Sequence, residues 1–454
     1  MFETRNPATG ELIQQFDYIS DTQLDAALAR SEQAARAWRK TDFAERSQLL
    51  HKVAALLTER REALARTVSL EMGKLLGEAL GEVDKCAGAC AYYADHGAAM
   101  LQDKLIETPA KKSLVAFEPI GTVLAIMPWN FPLWQVIRCM APTLMAGNTL
   151  LLKHAPNVPQ CALALEEILR DAGAPEGVFS SLLISVEQSA TVIADRRVHG
   201  VAFTGSEVAG RKIGALAGAN LKKVVLELGG SDPLIVLDDA DLDQAVEIAV
   251  RARFSNAGQI CIAAKRFIVT EAVADEFVSK LMDQVATLKC GDPTDADTRL
   301  APMTREDLRT QVHQQVLKSI EQGATPLAGC EPLTGHGWFY PASVLDNVKP
   351  GMEAFDEELF GPVASIVRVK DEAEAIAMAN NTRFGLGASL FTRDAERGEQ
   401  LARQIEAGAV FVNAQVGSDV RLPFGGIKCS GVGRELASYG MHEFCNIKTL
   451  WVGE

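Results

Sequence analysis

The chain of 454 residues is 48% hydrophobic and 23% charged, with a formal net charge of −14. This composition supports a sizeable core and excludes disorder, collagen and coiled coil. The acidic balance excludes nucleic acid and a lipid surface as partners, and the length predicts about three domains or two large ones.

Nine cysteines are scattered without a CxxC pair, so no zinc ribbon or thioredoxin-type motif is available and no metal site is expected. Cys86 and Cys90 share a helix face with no histidine nearby and read as small buried residues. Reduced thiols fit a cytoplasmic protein. The N-terminus Met1-Phe2-Glu3-Thr4-Arg5 has neither the basic region nor the apolar run of a signal peptide. Residues 120–152 are the most apolar part, but Pro128, Asn130, Pro132, Arg138, Pro142 and Asn148 make them core and site lining rather than a membrane span.

In chain order, Asp21 to about Met100 is helical in pattern, with Asp21 as the expected N-cap. From Ser113 the texture changes to short apolar runs with turns between them: Leu114–Phe117, Gly121–Ile126 and Thr149–Lys153. A helix from about Pro159 to Ala172 follows, then a run over Val178–Leu183, a helix to Ala194 and a strand over Gly200–Thr204. The alternation resumes with Leu234–Leu237, Leu242–Ser255, Arg266–Thr270, Ala274–Leu288, Ser365–Val369 and Glu372–Ala379. Strands alternating with helices imply right-handed βαβ units and parallel sheets, here two α/β units in series. The terminal run Cys445–Val452 is strand-like and needs a partner, for which another subunit is a candidate.

Most common catalytic motifs are absent, including GxGxxG, GxSxG and HExxH. Gly205-Ser206 follows an apolar strand at the mouth of a helix, where free amides suit a pyrophosphate or simply turn a corner. Cys261 lies in the polar loop Asn256-Ala257-Gly258-Gln259-Ile260-Cys261, where nearby amides could favour a reactive thiolate; a buried structural thiol is the competing reading. Glu227 closes an apolar run, so burial would raise its pKa toward that of a general base, unless it is a salt-bridged strand end. In Pro128-Trp129-Asn130-Phe131-Pro132, two prolines stiffen the backbone around an amide suited to an oxyanion or to a turn.

The joint order of these segments is more specific than any one of them. Pro128–Pro132, Lys153, Phe203-Thr204-Gly205-Ser206, Leu226-Glu227-Leu228-Gly229-Gly230, Gly258–Cys261, Glu358-Leu359-Phe360-Gly361-Pro362 and Pro423-Phe424-Gly425-Gly426 resemble the aldehyde dehydrogenase superfamily across essentially the whole chain. The resemblance implies a variant Rossmann cofactor-binding domain over 1–102 and 119–226, an α/β catalytic domain over 227–424, and oligomerisation segments over 103–118 and 425–454. It implies NAD or NADP as cofactor and a homodimer or homotetramer. Cys261 would be the nucleophile, Asn130 with the Cys261 amide the oxyanion site, and Glu227 the base for thioester hydrolysis. Trp129, Lys153, Gly205, Ser206 and Leu228 would contact the cofactor, with Glu358 and Phe360 at the nicotinamide ribose and ring.

Pro156 stands where the family's run after Lys153 usually ends in a ribose-binding Glu, so a 2′-phosphate is not repelled and NADP is expected to be tolerated. Arg138 occupies the position of a carboxylate-binding Arg in succinate semialdehyde dehydrogenases, and the shorter members of that group are similar around Lys153-His154-Ala155-Pro156 and Ser418-Asp419-Val420-Arg421. Arg138 and Arg421 are therefore the expected carboxylate contacts, with structural ion pairs as the competing reading, and Trp134 would narrow the substrate tunnel or belong to the core. The expected activity is oxidation of a small carboxylate-bearing aldehyde, succinate semialdehyde first. The alternatives are a broad-specificity or betaine-type aldehyde dehydrogenase and, from another class, a non-catalytic oligomeric binding protein on the same scaffold. Glu227 argues against a CoA-acylating relative, which needs no base for hydrolysis.

Overall fold

The helical texture after residue 20 becomes four helices, Asp21–Trp38, Phe43–Glu59, Arg61–Met72 and Leu76–Met100, in the computed structural model, which describes residues 2–454. Ser20, rather than Asp21, caps the first. Its Oγ accepts from the Gln23 amide at 3.2 Å, while Gln23 Oε1 accepts from the Ser20 amide at 2.8 Å. The S-x-x-Q spacing of a capping box outranks the acidic residue beside it. Leu50, Val53, Val83, Cys86 and Cys90 are fully buried, and the long helix Leu76–Met100 packs against the second helix and against Trp134–Met145.

The first α/β unit is a six-stranded sheet in the order Gly431–Val432, Lys223–Glu227, Val198–Thr204, Thr122–Met127, Thr149–His154, Phe179–Ser181. All neighbours are parallel except the two-residue edge strand. The chain leaves Thr122–Met127 toward one side and later returns to pair on its other side with Val198–Thr204. In open α/β sheets, ligands bind outside the carboxyl ends at such a reversal. Here those ends lead directly into Pro128–Asn130 and Gly205–Ser206.

The second sheet has seven strands in the order Thr325–Ala328, Ser343–Asp346, Val363–Val369, Ala264–Thr270, Asp232–Val236, Gly387–Phe391, Ala409–Val412. Only its first strand is antiparallel. Glu227 ends a strand of the first sheet, and Asp232 opens one of the second; Cys261 lies just before Ala264–Thr270 and Glu358–Phe360 just before Val363–Val369. The carboxyl ends of one sheet thus meet the amino ends of the other through these loops.

A three-stranded antiparallel sheet completes the chain, with Cys445–Val452 at one edge, Lys112–Pro119 in the middle and Lys104–Leu105 beyond. The terminal strand finds its partner within the chain. Its outer edge is left open, with Ile447, Trp451 and Val452 exposed. Among the described residues, no helix is long and apolar enough to cross a membrane, and no cluster of His, Cys, Asp or Glu suits a metal ion.

Candidate active site

The Asn130 loop is held from below by the helix Leu76–Met100. Glu82 Oε1 accepts the amides of Leu133 and Trp134 at 2.8 and 2.9 Å, satisfying donors at the start of Trp134–Met145. The other Glu82 oxygen pairs with Lys74, both side chains being buried, and the Lys74 ammonium lies 3.6 Å from the centroid of the Phe131 ring. Asn130 is itself buried. Its Oδ1 accepts from Gln135 Nε2 at 3.1 Å and its Nδ2 donates to the Gln259 carbonyl at 2.9 Å. These two bonds fix which end of the amide is the donor and leave the second N–H of Nδ2 for a ligand.

The Cys261 loop is strained and clamped. Asn256 and Ala257 have φ of 51° and 53°, and Gly258 has φ of 70°. Left-handed geometry costs about 1–2 kcal/mol at a non-glycine residue, so neighbouring groups must impose it. Glu78 Oε1 accepts the Asn256 amide at 3.0 Å, and Asn256 Nδ2 donates to the Asn130 carbonyl at 3.0 Å, joining the two loops. Fully buried Arg253 donates to the Gly258 and Leu359 carbonyls at 2.9 and 3.2 Å and also to that of Gly361. A Cβ on Gly258 would lie 2.3 Å from the Gly361 oxygen. Lys265 donates to the carbonyls of Ile260 and Cys261.

Burial pushes the Cys261 thiol up to about 11, against the pull of Lys265 and Arg138. This desolvation opposes the thiolate that the loop amides are expected to favour. Glu227 is buried, with neither carboxylate oxygen hydrogen-bonded. Burial and the nearby Glu435 carboxylate raise its pKa well above the usual range, while Arg138 and Arg434 oppose the rise. It is not among the residues that line the cleft shared by Cys261 and Asn130.

Arg138 requires a correction. Its side chain is 3% exposed and forms an ion pair with Glu435 at 2.5 Å, while Nη2 donates to Thr204 Oγ1 at 3.3 Å. Arg138 is not among the residues lining the cleft of Cys261 and Asn130, and its buried charge is already opposed by Glu435, which favours the structural ion pair over the substrate contact. Arg421 is exposed, and its guanidinium is held by both oxygens of Asp419, at 2.8 and 2.6 Å. Trp134 is buried, its ring centroid 4.3 Å from Lys85 Nζ.

The cleft, of about 330 Å³, is lined by Asn130 and Cys261 together with Trp129, Gly205, Ser206, Leu228, Glu358 and Phe360. The Trp129 and Phe360 rings meet edge to face at 5.7 Å. Glu358 Oε1 accepts from the Gly230 amide at 3.1 Å and lies 3.3 Å from Lys265 Nζ; Oε2 makes no hydrogen bond to the described residues. A Cβ on Gly229 would come within 2.2 Å of that free oxygen, which accounts for the glycine. Ser206 caps the helix Glu207–Ala219, but the Gly205 amide is spent on the Glu227 carbonyl at 3.0 Å. The amides free for an anion are those opening the helix after Ser206. Lys153 and Pro156 do not line this cleft: Lys153 is half-buried and Pro156 is exposed beside a separate small recess. The free Glu358 oxygen, the open amides and the aromatic wall fit a nicotinamide dinucleotide. Glu78, Glu82, Arg253 and Lys265, which hold both loops, were missed in the sequence because their partners lie far away in the chain.

The aldehyde dehydrogenase family model matches residues 1–450, and the chain belongs to that family. It is 47% identical over 446 residues to the succinate semialdehyde dehydrogenase [NAD(P)+] Sad of Escherichia coli (strain K12), covering 98% of this chain and 96% of the relative. It is 47% identical over 454 residues to the succinate-semialdehyde dehydrogenase [NADP(+)] 1 of Mycobacterium ulcerans (strain Agy99), covering 99% of each. Among solved structures, that of succinic semialdehyde dehydrogenase from Streptococcus pyogenes in complex with NADP+ superposes with a TM-score of 0.98 at 39% identity, covering 100% of both chains. Betaine aldehyde dehydrogenase from Staphylococcus aureus in complex with NAD+ gives 0.95 at 30%, covering 99% of this chain and 93% of that one.

Proposed function

We propose that this enzyme oxidises succinate semialdehyde to succinate with NAD or NADP. The observation that carries the chemistry is the shared cleft of Cys261 and Asn130, with the amide end of Asn130 fixed by Gln135 and Gln259. The substrate class rests on the names of relatives that match over nearly the whole chain.

The Cys261 thiol gives its proton to solvent water in the open cleft as its sulfur adds to the aldehyde carbon. The resulting oxyanion is held by the free N–H of Asn130 and the Cys261 amide, each such donor contributing about 2.7–4 kcal/mol to the transition state. A bound dinucleotide supplies the hydride acceptor. Glu358, Phe360, Trp129, Leu228, Gly205 and Ser206 would orient it, with Lys153 near the adenine ribose and Pro156 leaving room for a 2′-phosphate. Hydride loss from the tetrahedral carbon leaves a thioester on Cys261. Water then adds to that carbonyl, giving a proton to Glu227; the C–S bond breaks and the sulfur regains a proton. The raised basicity of buried Glu227 supports this assignment.

The segments 1–102 and 119–226 would form the cofactor-binding domain, 227–424 the catalytic domain, and 103–118 with 425–454 the oligomerisation segments. The exposed apolar side chains on the open terminal-strand edge support self-association there. The free thiols suit a reducing cytoplasm. The test is a panel of succinate semialdehyde, butanal and betaine aldehyde with NAD and NADP. The proposal expects kcat/KM highest for succinate semialdehyde. Preference for betaine aldehyde, or equal turnover of butanal, refutes the substrate reading.

A further inference from the structure

Setting Arg138 aside removes the sequence's main candidate for the substrate carboxylate, and three other cations near the Asn130 loop, Lys74, Lys85 and Arg421, can then be compared. Lys74 is paired with Glu82, Arg138 with Glu435 and Arg421 with Asp419. Lys85 differs: among the described residues no carboxylate lies within 4.0 Å of its ammonium. Its one hydrogen bond runs to Ser418 Oγ at 2.6 Å.

The placement of Lys85 is dictated by the helix Leu76–Met100. Glu78, Glu82 and Lys85 follow one another at helical spacing on one face. Glu78 holds the Cys261 loop through Asn256, and Glu82 holds the Asn130 loop through Leu133 and Trp134. Lys85 comes about one turn, or roughly 4.5 Å, further along. It reaches the Trp134 ring and Ser418, which lies in the loop ahead of Phe424. The residue is exposed overall while its ammonium is partly desolvated, and it lies outside the lining of the cleft that Cys261 and Asn130 share. This partial burial, with Arg138 nearby, draws its pKa down to about 8, opposed by Glu82, Asp419 and Cys86. An ammonium has three donors. Ser418 takes one, leaving donors for an incoming anion.

We propose that Lys85, braced by Ser418 and the face of Trp134, binds the carboxylate end of the substrate while Cys261 and Asn130 handle the aldehyde end. The proposal rests on the succinate semialdehyde reading and assigns its specificity to a residue on the fourth helix. A charge-assisted hydrogen bond contributes enough to shift affinity roughly tenfold to a hundredfold.

The experiment compares Lys85→Met, Lys85→Arg and Arg421→Leu on succinate semialdehyde and butanal at saturating cofactor. Lys85→Met retains the apolar stem, and thermal melting against the parent checks its fold. The proposal predicts a ten- to hundredfold fall in kcat/KM for succinate semialdehyde, mainly through KM, with butanal within about twofold of the parent. It predicts that Lys85→Arg recovers most of the loss and that Arg421→Leu leaves the substrate ratio unchanged. In the parent, KM for succinate semialdehyde rises as the pH passes about 8, while Lys85→Arg moves that rise to higher pH. A parent that does not prefer succinate semialdehyde to butanal refutes the substrate reading. If the parent does prefer it, a Lys85→Met variant that keeps the ratio, or loses both substrates equally, overturns the role of Lys85 alone.

Discussion

Glu82→Gln isolates the buried ion pair beneath the Asn130 loop. Glutamine has nearly the same shape and its Oε1 can still accept the Leu133 and Trp134 amides, now at 2.8 and 2.9 Å. What is lost is the negative charge opposite Lys74, in a site where both side chains are 1% exposed. Stranding one partner of a buried pair costs about 3–5 kcal/mol. The Phe131 ring, 3.6 Å from the ammonium, offsets up to about 2 kcal/mol of this. A net loss of about 1–5 kcal/mol is therefore expected, read by urea denaturation at pH 7. Lys74→Met leaves the carboxylate its two amide donors and should cost less. The double variant Lys74→Met/Glu82→Gln holds no stranded charge, so the two costs should fall short of additivity by at least about 2 kcal/mol. A Glu82→Gln loss below about 1 kcal/mol, or strictly additive singles, refutes the account.

Glu227→Gln should release a burst of reduced cofactor followed by slow turnover, because its loss spares acylation and blocks hydrolysis; steady turnover at the parent rate without a burst contradicts its assignment as base. Pro156→Glu should lower the NADP/NAD ratio of specificity constants at least about tenfold through repulsion of the 2′-phosphate, and an unchanged ratio means that Pro156 does not face the ribose. His154 is buried, with Nε2 bonded to the Pro132 carbonyl and Nδ1 accepting the Ala155 amide, each at 2.8 Å, and burial lowers its pKa to about 4. Since the folded value lies below the unfolded one, its contribution is complete above about pH 6.5 and is lost as the pH falls toward 4, about 2 kcal/mol by pH 5. His154→Gln should lack that part of the acid loss when both proteins are unfolded in urea at pH 7 and 5, and equal losses in the two proteins contradict it.

Local signals in the sequence carried the architecture well. Alternating apolar runs and amphipathic helices located both parallel sheets, and the terminal strand was legible from its composition. Ser20 was passed over because Asp21 is also a capping residue; the glutamine three positions after Ser20 decides between them. Asn130, Glu227 and Cys261 were legible as an ordered set of motifs. What escaped was pairing across the chain. Arg138 reads as a substrate contact until Glu435 is seen beside it. Glu78 and Glu82 read as ordinary acids of an Ala-rich helix, yet they cap loops brought to them by tertiary packing. Lys85 lacks any motif, and its significance appears only when Lys74, Arg138 and Arg421 are each matched to a carboxylate.

The central claim is that the substrate becomes an acyl thioester on Cys261. It is tested most directly by mixing the enzyme with succinate semialdehyde and NADP, quenching in acid within the first turnover and sequencing the digested peptides by mass. The account predicts a succinyl group on Cys261 that accumulates in Glu227→Gln, and no product from Cys261→Ala. Succinylation at another residue, or turnover by Cys261→Ala within tenfold of the parent, would contradict it.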